Sequence, residues 1–554
     1  MSGATAPVPF GGRGALGLLI IVLLLAAALY VFGARGFALS EPDEGRYGEI
    51  AREMVESGDW LTPRLNYVKY FEKPPLVYWS SALAFVGLGQ SELAARLPSV
   101  IGALLTLTLT GWLAWRLYGA ATALLAVACL AVGPLFGVLA VVLTLDMSLT
   151  ACMTLAMCCA WMAQAGGASG RRWVRAAYAA TALAILVKGP VAAVLVGAAV
   201  LLFTLVDGGL RAVRPWLDWR ALLLAMLIAL PWFVLVGLRN PEFWHFFIVD
   251  QHLTRYLSTR EHGEPLWFFV PVLPLALAPW SLVVLLDAAA LRGAWDPRTW
   301  AAGTRLCVIW AAVIVVFFSL SASKLVTYAL PALPPLAILC ARAVSWMVAR
   351  RRTTGLTRTG WLLLIGGLVM GACAALLPWF TPLWRAQALA PYLYAGALPL
   401  AATGLLTGRY AAAQRPRAAL LALGVGWAAV FTVALAGRGV ANEYRALGFA
   451  ARTAMQPADR LALYHNYVQG MTFYTGRRAV VVGGAGELTF GSKLGDHTAW
   501  FWPSDEQLLR EWQSSGRLFL VINRDDLDRL RPQMTPPPIE IASKGKKVLV
   551  ANRS

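Results

Sequence analysis

Long, uninterrupted apolar segments recur along this chain from its N-terminal region to residue 437. A helix of about 20 apolar residues crosses a hydrocarbon core of roughly 30 Å, and these segments have that length. Strands of a membrane β-barrel would alternate polar and apolar residues, which these segments do not do. The sequence therefore predicts a polytopic α-helical membrane protein. Its thirteen candidate spans are roughly 14–33, 96–117, 121–140, 147–164, 172–188, 190–206, 221–238, 266–288, 303–320, 325–347, 359–380, 391–407 and 416–437.

The charge composition agrees with a membrane protein and argues against a nucleic-acid partner. Only 14% of the residues are charged, whereas an average soluble domain has about 25%. The net charge is +19, but polytopic proteins concentrate Lys and Arg in their cytoplasmic loops. We expect the remaining basic residues to face anionic lipid head groups or an anionic substrate.

The distribution of arginine between loops predicts the orientation of the chain. If the N-terminus is cytoplasmic and the first span is retained, six alternate connections together carry sixteen arginines, whereas the short opposite loops carry few cations. This assigns 34–95, 239–265 and the tail from 440 to the outer side, which is the periplasm of a Gram-negative bacterium. The arginines are Arg116, Arg171, Arg172, Arg175, Arg211, Arg214, Arg220, Arg292, Arg298, Arg350, Arg351, Arg352, Arg358, Arg409, Arg415 and Arg417.

The composition divides the chain into two domains. Residues 1–439 form a transmembrane domain with outer loops at 34–95 and 239–265, and the first of these loops contains the short apolar stretch 74–89, which we expect at the membrane interface. Residues 440–554 predict a small periplasmic α/β domain, because short β-type runs alternate with helical segments. The β-type runs are 460–464, 479–482, 518–522 and 547–550.

Charged residues cluster just beyond the first apolar segment. Asp43, Glu44 and Arg46 follow it directly, and Tyr70, Glu72 and Lys73 precede a double proline. Asp146 adds an acid at the edge of a later span. Because ionisable groups beside a bilayer are costly, this clustering predicts a membrane-embedded site that handles a phosphate-bearing lipid.

Each of these residues also has a structural interpretation. Asp146 could cap a helix that begins at Met147, and Asp43 or Glu44 could cap one that begins at Gly45. Arg46 and Lys73 suit a phosphate clamp, but they could also be interfacial cations that extend toward water. Glu72 could simply pair with either of them.

A second group of polar residues lies in the outer segment 239–265 and near residue 325. His252 could ligate a metal or hold a phosphate, or it could be structural. A pair formed by Glu72 and His252 could hold a divalent ion such as zinc. The group comprises His245, Asp250, His252, Arg255, Arg260, His262 and Glu264, together with Lys324 and Tyr328.

Several motifs resemble those of the GT-C superfamily of integral-membrane glycosyltransferases. Within it the chain is most similar to the family of lipid A aminoarabinose transferases, which is related to protein O-mannosyltransferases. The motifs cover about a tenth of the chain: Glu41-Pro-Asp-Glu-Gly-Arg-Tyr47, Gly58-Asp-Trp-Leu-Thr-Pro63, Phe71-Glu-Lys-Pro-Pro-Leu-Val-Tyr-Trp79, Glu92-Leu-Ala-Ala-Arg-Leu-Pro98 and Ser323-Lys-Leu-Val-Thr-Tyr-Ala-Leu-Pro331.

The resemblance implies roles for particular residues. Asp43 matches the first-loop acid of catalysis or acceptor orientation, Asp146 matches the second-loop acid, and Glu44 is a further catalytic candidate. Lys73 and Arg46 match positions expected to hold the lipid phosphate. Residues Arg255 and Arg260 are additional phosphate-binding candidates, and Tyr70, Glu72, Lys324 and Tyr328 are substrate-site candidates without a fixed role.

The resemblance implies a GT-C fold and an inverting sugar transfer. The expected reaction moves 4-amino-4-deoxy-L-arabinose from undecaprenyl phosphate to a phosphate of lipid A or a lipopolysaccharide precursor, at the periplasmic face of the inner membrane, and gives resistance to polymyxin. We expect a monomer with no required cofactor and a possible zinc ion. The alternatives are a polyprenyl-phosphate-sugar transferase acting on a protein or glycan hydroxyl, and a lipid-linked sugar flippase, which usually has ionisable residues near the bilayer middle.

Overall fold

A computed structural model describes residues 12–165, 170–254, 263–287, 289, 300–381, 383–437 and 444–554. In these residues, ten helices are long and apolar enough to cross a membrane, and a pair bent by 68° brings the number to eleven if it is counted as one span. The predicted polytopic helical fold is therefore confirmed. The ten helices are Gly14–Ala34, Glu92–Tyr118, Leu145–Ala165, Val191–Leu217, Trp219–Arg239, Ala302–Leu320, Val326–Ala349, Thr354–Phe380, Leu389–Ala412 and Pro416–Ala436, and the bent pair is Ala120–Ala131 with Pro134–Ala140.

Two of the thirteen predicted spans account for the lower number. The segment predicted at 172–188 is the helix Gly170–Lys188, whose cations at both ends make it less apolar than the other spans. The segment predicted at 266–288 consists of two short helices, Phe269–Ala276 and Trp280–Leu285. Proline interrupts this second segment at Pro279, since its ring nitrogen has no hydrogen to donate within a helix.

The outer segment after the first span forms a compact layer above the helices. It contains the helix Asp43–Ser57, a small hairpin of strands β1 (Arg64–Leu65) and β2 (Val68–Lys69), and the helix Leu76–Leu88. With 13 residues, Leu76–Leu88 is too short to cross a bilayer. It agrees with the predicted interfacial stretch 74–89.

The C-terminal domain is built on one six-stranded sheet with the order β5-β4-β3-β6-β8-β7. Strands β3 to β6 are parallel, whereas β8 runs antiparallel to β6 and β7. The four predicted β-type runs are all strands of this sheet. Its strands are β3 (Arg460–Tyr464), β4 (Ala479–Val482), β5 (Phe501–Trp502), β6 (Leu518–Asn523), β7 (Ile539–Lys544) and β8 (Lys547–Ala551), and its main helices are Tyr444–Ala454, Gln469–Thr475, Asp505–Gln513 and Arg524–Leu530.

This domain is docked on the outer segment through polar contacts. The Asn66 side chain donates to the backbone oxygen of Ala479 at 2.8 Å and accepts from the Ala479 amide at 2.9 Å. The Tyr474 hydroxyl accepts from the Leu39 amide at 2.8 Å. These bonds satisfy buried backbone groups of both partners, so they fix how the two parts meet.

A buried ion pair between Glu44 and Arg96 joins the outer helix to the second span. The Arg96 guanidinium donates to both carboxylate oxygens of Glu44, at 2.7 and 2.9 Å. Arg96 also donates to the backbone oxygens of Ala34, Phe37 and Ala38 at 3.1, 2.8 and 2.8 Å. Four separate stretches meet here, because Glu44 also accepts from the Leu143 amide at 2.7 Å.

Replacing Glu44 by glutamine should strongly destabilise the protein. The variant leaves the fully buried charge of Arg96 uncompensated, and breaking a buried pair in this way costs about 3–5 kcal/mol. Thermal unfolding of the detergent-solubilised protein measures the loss. The double variant Glu44→Leu/Arg96→Leu should lose less stability than Glu44→Gln; an unchanged unfolding midpoint in the single variant contradicts the importance of the pair.

Candidate active site

The candidate site is centred on Tyr47 of the helix Asp43–Ser57, which is close enough to the beginning of the helix Leu145–Ala165 for the charge of Asp146 to act on it. Tyr47 is buried, its ring centre lies 5.9 Å from that of Tyr78, and burial raises the pKa of its hydroxyl. The negative charges of Asp43, Glu72 and Asp146 raise this pKa further, while Arg46 opposes them. The acids predicted from three separate stretches of sequence therefore surround one side chain.

Arg46 is held between two carboxylates. Its Nη1 lies 3.0 Å from Oδ1 of Asp43, and its Nε lies 2.6 Å from Oε2 of Glu487. The Asp43 side chain is 56% exposed, whereas that of Arg46 is only 16% exposed. Asp43 is thus accessible to solvent, whereas the Arg46 beside it is largely buried.

The local charge keeps Arg46 cationic in spite of its burial. Burial alone would lower the pKa of the guanidinium, but Tyr70, Glu487 and Glu72 around it raise the pKa above its ordinary value. A buried, permanently charged fork suits bidentate contact with a phosphate. This environment agrees with the predicted phosphate-binding role of Arg46.

Glu487 is a contribution of the C-terminal domain that the sequence did not reveal. It lies in the short 3₁₀ helix Gly486–Leu488, and the side-chain amide of Gln469 donates to its other oxygen. Burial raises the pKa of Glu487, while the charge of Arg46 lowers it. No motif marks this residue, because it lies more than 400 positions from Arg46 in the sequence.

Glu41 forms a second contact between the domains beside the site. Its Oε1 accepts from the Gly470 amide at 2.6 Å, and its Oε2 is buried without a hydrogen-bond donor among the described residues. Burial raises the pKa of Glu41 to about 8. Glu41 is therefore mostly protonated at neutral pH.

Asp146 forms an ion pair with Lys188 on the other wall of the site. Asp146 lies in the first turn of the helix Leu145–Ala165, so it does not precede the helix as the capping interpretation required. Lys188 ends the neighbouring helix Gly170–Lys188, and its Nζ contacts a carboxylate oxygen of Asp146. The same Nζ lies 4.6 Å from the centre of the Tyr328 ring.

Lys188 is thus a second site residue that sequence reasoning did not select. It is the last residue of the predicted span 172–188 and is followed by Gly189-Pro190, which is typical of a connecting loop. A signal was available, however, since a lysine at the end of an apolar helix needs a partner and Asp146 is an acid at the same outer level. The contact also places Tyr328, a predicted substrate-site residue, beside Asp146.

The segment that carries Tyr70, Glu72 and Lys73 lies close to Arg46, because Tyr70 and Glu72 act on the pKa of its guanidinium. Tyr70 is buried, and its pKa is raised first by burial and then by the charge of Glu72. Phe71 anchors the segment from below by an edge-to-face contact with Phe243, with ring centres 5.4 Å apart. Glu72 and Lys73 are partly exposed.

Two predicted site residues have structural contacts instead of an open position. Both oxygens of Glu44 bind Arg96, and these contacts hold the pKa of Glu44 below its usual value although burial alone would raise it. Lys324 is buried and donates to the backbone oxygens of Glu264 and Ser321, both at 2.7 Å. These geometries favour positioning roles for Glu44 and Lys324 over contact with substrate.

The structure does not describe the cations that the sequence predicted in the segment 239–265. Arg255 and Arg260 lie outside the described residues, as does the side chain of His252. Within the described parts of the chain, no three His, Cys, Asp or Glu residues are grouped so that they could hold a metal ion. The zinc site at Glu72 and His252 stays a prediction.

Comparisons with known proteins identify the family. Residues 15–247 match the model for dolichyl-phosphate-mannose-protein mannosyltransferase, and residues 448–552 match that for the aminoarabinose transferase C-terminal domain. The undecaprenyl phosphate-alpha-4-amino-4-deoxy-L-arabinose arabinosyl transferase of Enterobacter sp. (strain 638) is 31% identical over 436 residues, which are 73% of this chain and 74% of the relative. The chain belongs to this arabinosyl transferase family.

Two solved structures extend the similarity to nearly the whole chain. The crystal structure of ArnT from Cupriavidus metallidurans bound to undecaprenyl phosphate matches with a TM-score of 0.85 and 27% identity over 98% of this chain and 99% of that one. The apo structure matches with a TM-score of 0.84 and 28% identity over 97% and 98%. The GT-C fold and the glycosyltransferase activity of the arabinosyl transferase family follow, and they argue against the flippase alternative.

Replacing Glu487 by glutamine should impair this arabinosyl transferase without unfolding it. The variant removes one of the two charges that orient Arg46, and a misplaced catalytic group can lower kcat/KM by roughly ten- to a hundredfold. Sugar transfer by the purified variant measures the effect. The matched control is Glu511→Gln, which removes a contact with Arg460 (3.3 Å) elsewhere in the same domain; equal activity of both variants would contradict the role of Glu487.

The stability of the enzyme should depend on pH through Glu41. Its folded-state pKa of about 8 lies above the ordinary value of 4.5, so its contribution is fully present below about pH 4.5 and is lost as pH rises through about 8. Thermal unfolding between these pH values should show a fall in midpoint that Glu41→Gln reduces. Parallel pH profiles for the wild type and the variant would show that Glu41 is not the titrating group.

Proposed function

We propose that this enzyme transfers 4-amino-4-deoxy-L-arabinose from undecaprenyl phosphate to a phosphate of lipid A. The proposal rests mainly on one observation: an exposed acid, Asp43, is held by a buried cation, Arg46, at the outer end of the spans. The similarity to ArnT bound to undecaprenyl phosphate supports a polyprenyl phosphate donor. The match of the C-terminal domain supports aminoarabinose as the sugar.

The site belongs at the periplasmic face of the bacterial inner membrane. The helix Gly170–Lys188 has Lys188 at the site and three arginines, Arg171, Arg172 and Arg175, in its first turns. Arginine-rich ends of spans are typical of the cytoplasmic side. The same orientation makes the N-terminus cytoplasmic and the C-terminal domain periplasmic, where nucleotide sugars are absent and a lipid-linked donor is needed.

The donor phosphate would bind at Arg46 and Lys73. During transfer, the bond between the anomeric carbon and the phosphate oxygen breaks, and both electrons of this bond leave with undecaprenyl phosphate. The buried guanidinium of Arg46 stabilises the charge that develops on this leaving group, and it is already fixed by Asp43 and Glu487 before the reaction. Attack by the acceptor from the opposite face of the sugar inverts the anomeric centre.

The acceptor determines what Asp43 does. A lipid A phosphate is already anionic, so its oxygen attacks the anomeric carbon without losing a proton. Asp43 then orients the acceptor or the cationic amino group of the sugar by charge. The exposed position of Asp43 suits either contact. The added amino group would reduce the negative charge of lipid A and so weaken the binding of cationic peptides such as polymyxin.

Transfer to a hydroxyl of a protein or glycan is the second candidate. It is favoured by the match of residues 15–247 to the mannosyltransferase model. In that reaction the hydroxyl must lose a proton, and Asp43 would act as a general base. The two candidates therefore differ in acceptor and in the role of Asp43, but not in the position of the site.

Mass spectrometry of the acceptor tests the proposal. Purified enzyme, supplied with undecaprenyl phosphate–aminoarabinose and lipid A, should add one aminoarabinose to a lipid A phosphate. Asp43→Asn should lower turnover by about a hundredfold, because the acceptor or the amino sugar loses the charge that orients it, whereas Asp525→Asn, which changes an exposed acid of the C-terminal domain, should be fully active. Unmodified lipid A would reject the acceptor, and normal turnover of Asp43→Asn would reject the site.

A further inference from the structure

An apolar cavity lies between three helices and extends from Ile185 and Ala193, near the site end of these helices, to Val213 and Trp216 at their other end. It has a volume of about 380 Å³ and is lined by the helices Gly170–Lys188, Val191–Val213 and Trp219–Arg239. This volume is within the range of about 300–1,000 Å³ that is typical of ligand pockets. Its walls are mainly aliphatic and include Ala182, Val196, Gly197, Val200, Leu201 and Leu222.

The few polar groups of the wall are already bonded to protein. The Tyr178 hydroxyl donates to the backbone oxygen of Trp216 at 2.7 Å. The Thr181 hydroxyl donates to the oxygen of Ala177 at 2.8 Å, and the Thr204 hydroxyl accepts from Gln164 at 3.2 Å. Since these groups are satisfied, the cavity favours a hydrocarbon chain over a polar ligand.

A break in the second of these helices closes one end of the cavity. Gly209 has φ of 69° and ψ of −171°, which interrupts the helix, and the chain beyond it brings Val213 and Trp216 to the cavity wall. An ion pair of 3.1 Å between Arg175 and Asp218 holds this end. At the side, Leu201 and Leu222 are 46% and 52% exposed, so the cavity borders the lipid-facing surface.

The closed end of the cavity is surrounded by basic side chains. Arg171, Arg172, Arg211, Arg214 and Arg220 are all exposed and lie within a few residues of the groups that close it. The acids of this region, Asp207 and Asp218, are engaged by Arg305 and Arg175. In the parts of the chain that the structure covers, none of these five arginine side chains forms an ion pair with a carboxylate, so basic groups outnumber the two acids at this end.

We propose that this cavity binds an anionic glycerophospholipid, with one acyl chain between the helices and the phosphate among the arginines. The arginine end is opposite the candidate active site, because Lys188 at the site ends the same 19-residue helix that Arg171 and Arg172 begin. Such a helix is about 28 Å long. A phosphate among these arginines is therefore remote from Arg46, where the donor phosphate would bind.

Binding of defined lipids to the delipidated full-length enzyme tests this site. Native mass spectrometry with phosphatidylglycerol and with phosphatidylethanolamine of the same acyl chains should show preferential binding of phosphatidylglycerol. A Cβ atom at Gly197 meets no atom within 4 Å, so Gly197→Leu should fill the cavity without a clash and abolish the preference. The double variant Arg214→Gln/Arg220→Gln should weaken phosphatidylglycerol binding by roughly thirtyfold and leave the interior unchanged.

Matched variants on other spans distinguish this site from general lipid contact. Gly17→Leu adds the same side chain at another open position, in the first span, and Arg415→Gln/Arg417→Gln removes two exposed arginines near a different helix. Both controls should bind phosphatidylglycerol like the wild type. Equal binding of the two lipids, undiminished binding by Gly197→Leu or by the arginine variant, or displacement of phosphatidylglycerol by undecaprenyl phosphate would each overturn the proposal.

Discussion

The buried pair of Glu44 and Arg96 determines where the active-site residues lie. Glu44 is the second residue of the helix Asp43–Ser57. Both of its carboxylate oxygens accept hydrogen bonds from the guanidinium of Arg96, which belongs to the second span. Because Glu44 is adjacent to Asp43 and half a turn from Arg46, its anchoring sets the rotation of this helix. The desolvation cost of two buried charges is offset only by the complete set of hydrogen bonds around them.

The C-terminal domain is part of the site as well as a neighbour of it. Glu487 reaches Arg46, and the Gly470 amide binds Glu41, which lies just before the outer helix. The site therefore depends on a contact between two domains whose contacting residues lie more than 400 positions apart in the sequence. The bonds of Asn66 to Ala479 stabilise the same domain contact away from the reacting groups. The orientation of Arg46 therefore depends on how the C-terminal domain docks.

The sequence predicted those features that depend on local pattern. Apolar length predicted the spans, and acids and bases beside the first span predicted Asp43 and Arg46. Two of the predicted spans are shorter or less apolar than the others, because Pro279 separates two short helices at 266–288 and cations lie at both ends of the helix Gly170–Lys188. The sequence did not predict Glu487 or the pairing of Lys188 with Asp146, because both depend on tertiary contacts that leave no periodic signal in the chain.

The distribution of charge explains how a site rich in acids can accept phosphates. The charge of Glu44 is balanced by Arg96, that of Asp146 by Lys188, and that of Glu487 by Arg46. Glu41 contacts the Gly470 amide of the C-terminal domain, and burial raises its pKa to about 8, which favours its neutral form at pH 7. Asp43 alone among these five acids is largely exposed, and it shares Arg46 with Glu487. An anionic donor and an anionic acceptor can therefore approach a surface whose buried negative charges are already compensated, and Asp43 remains available to orient them.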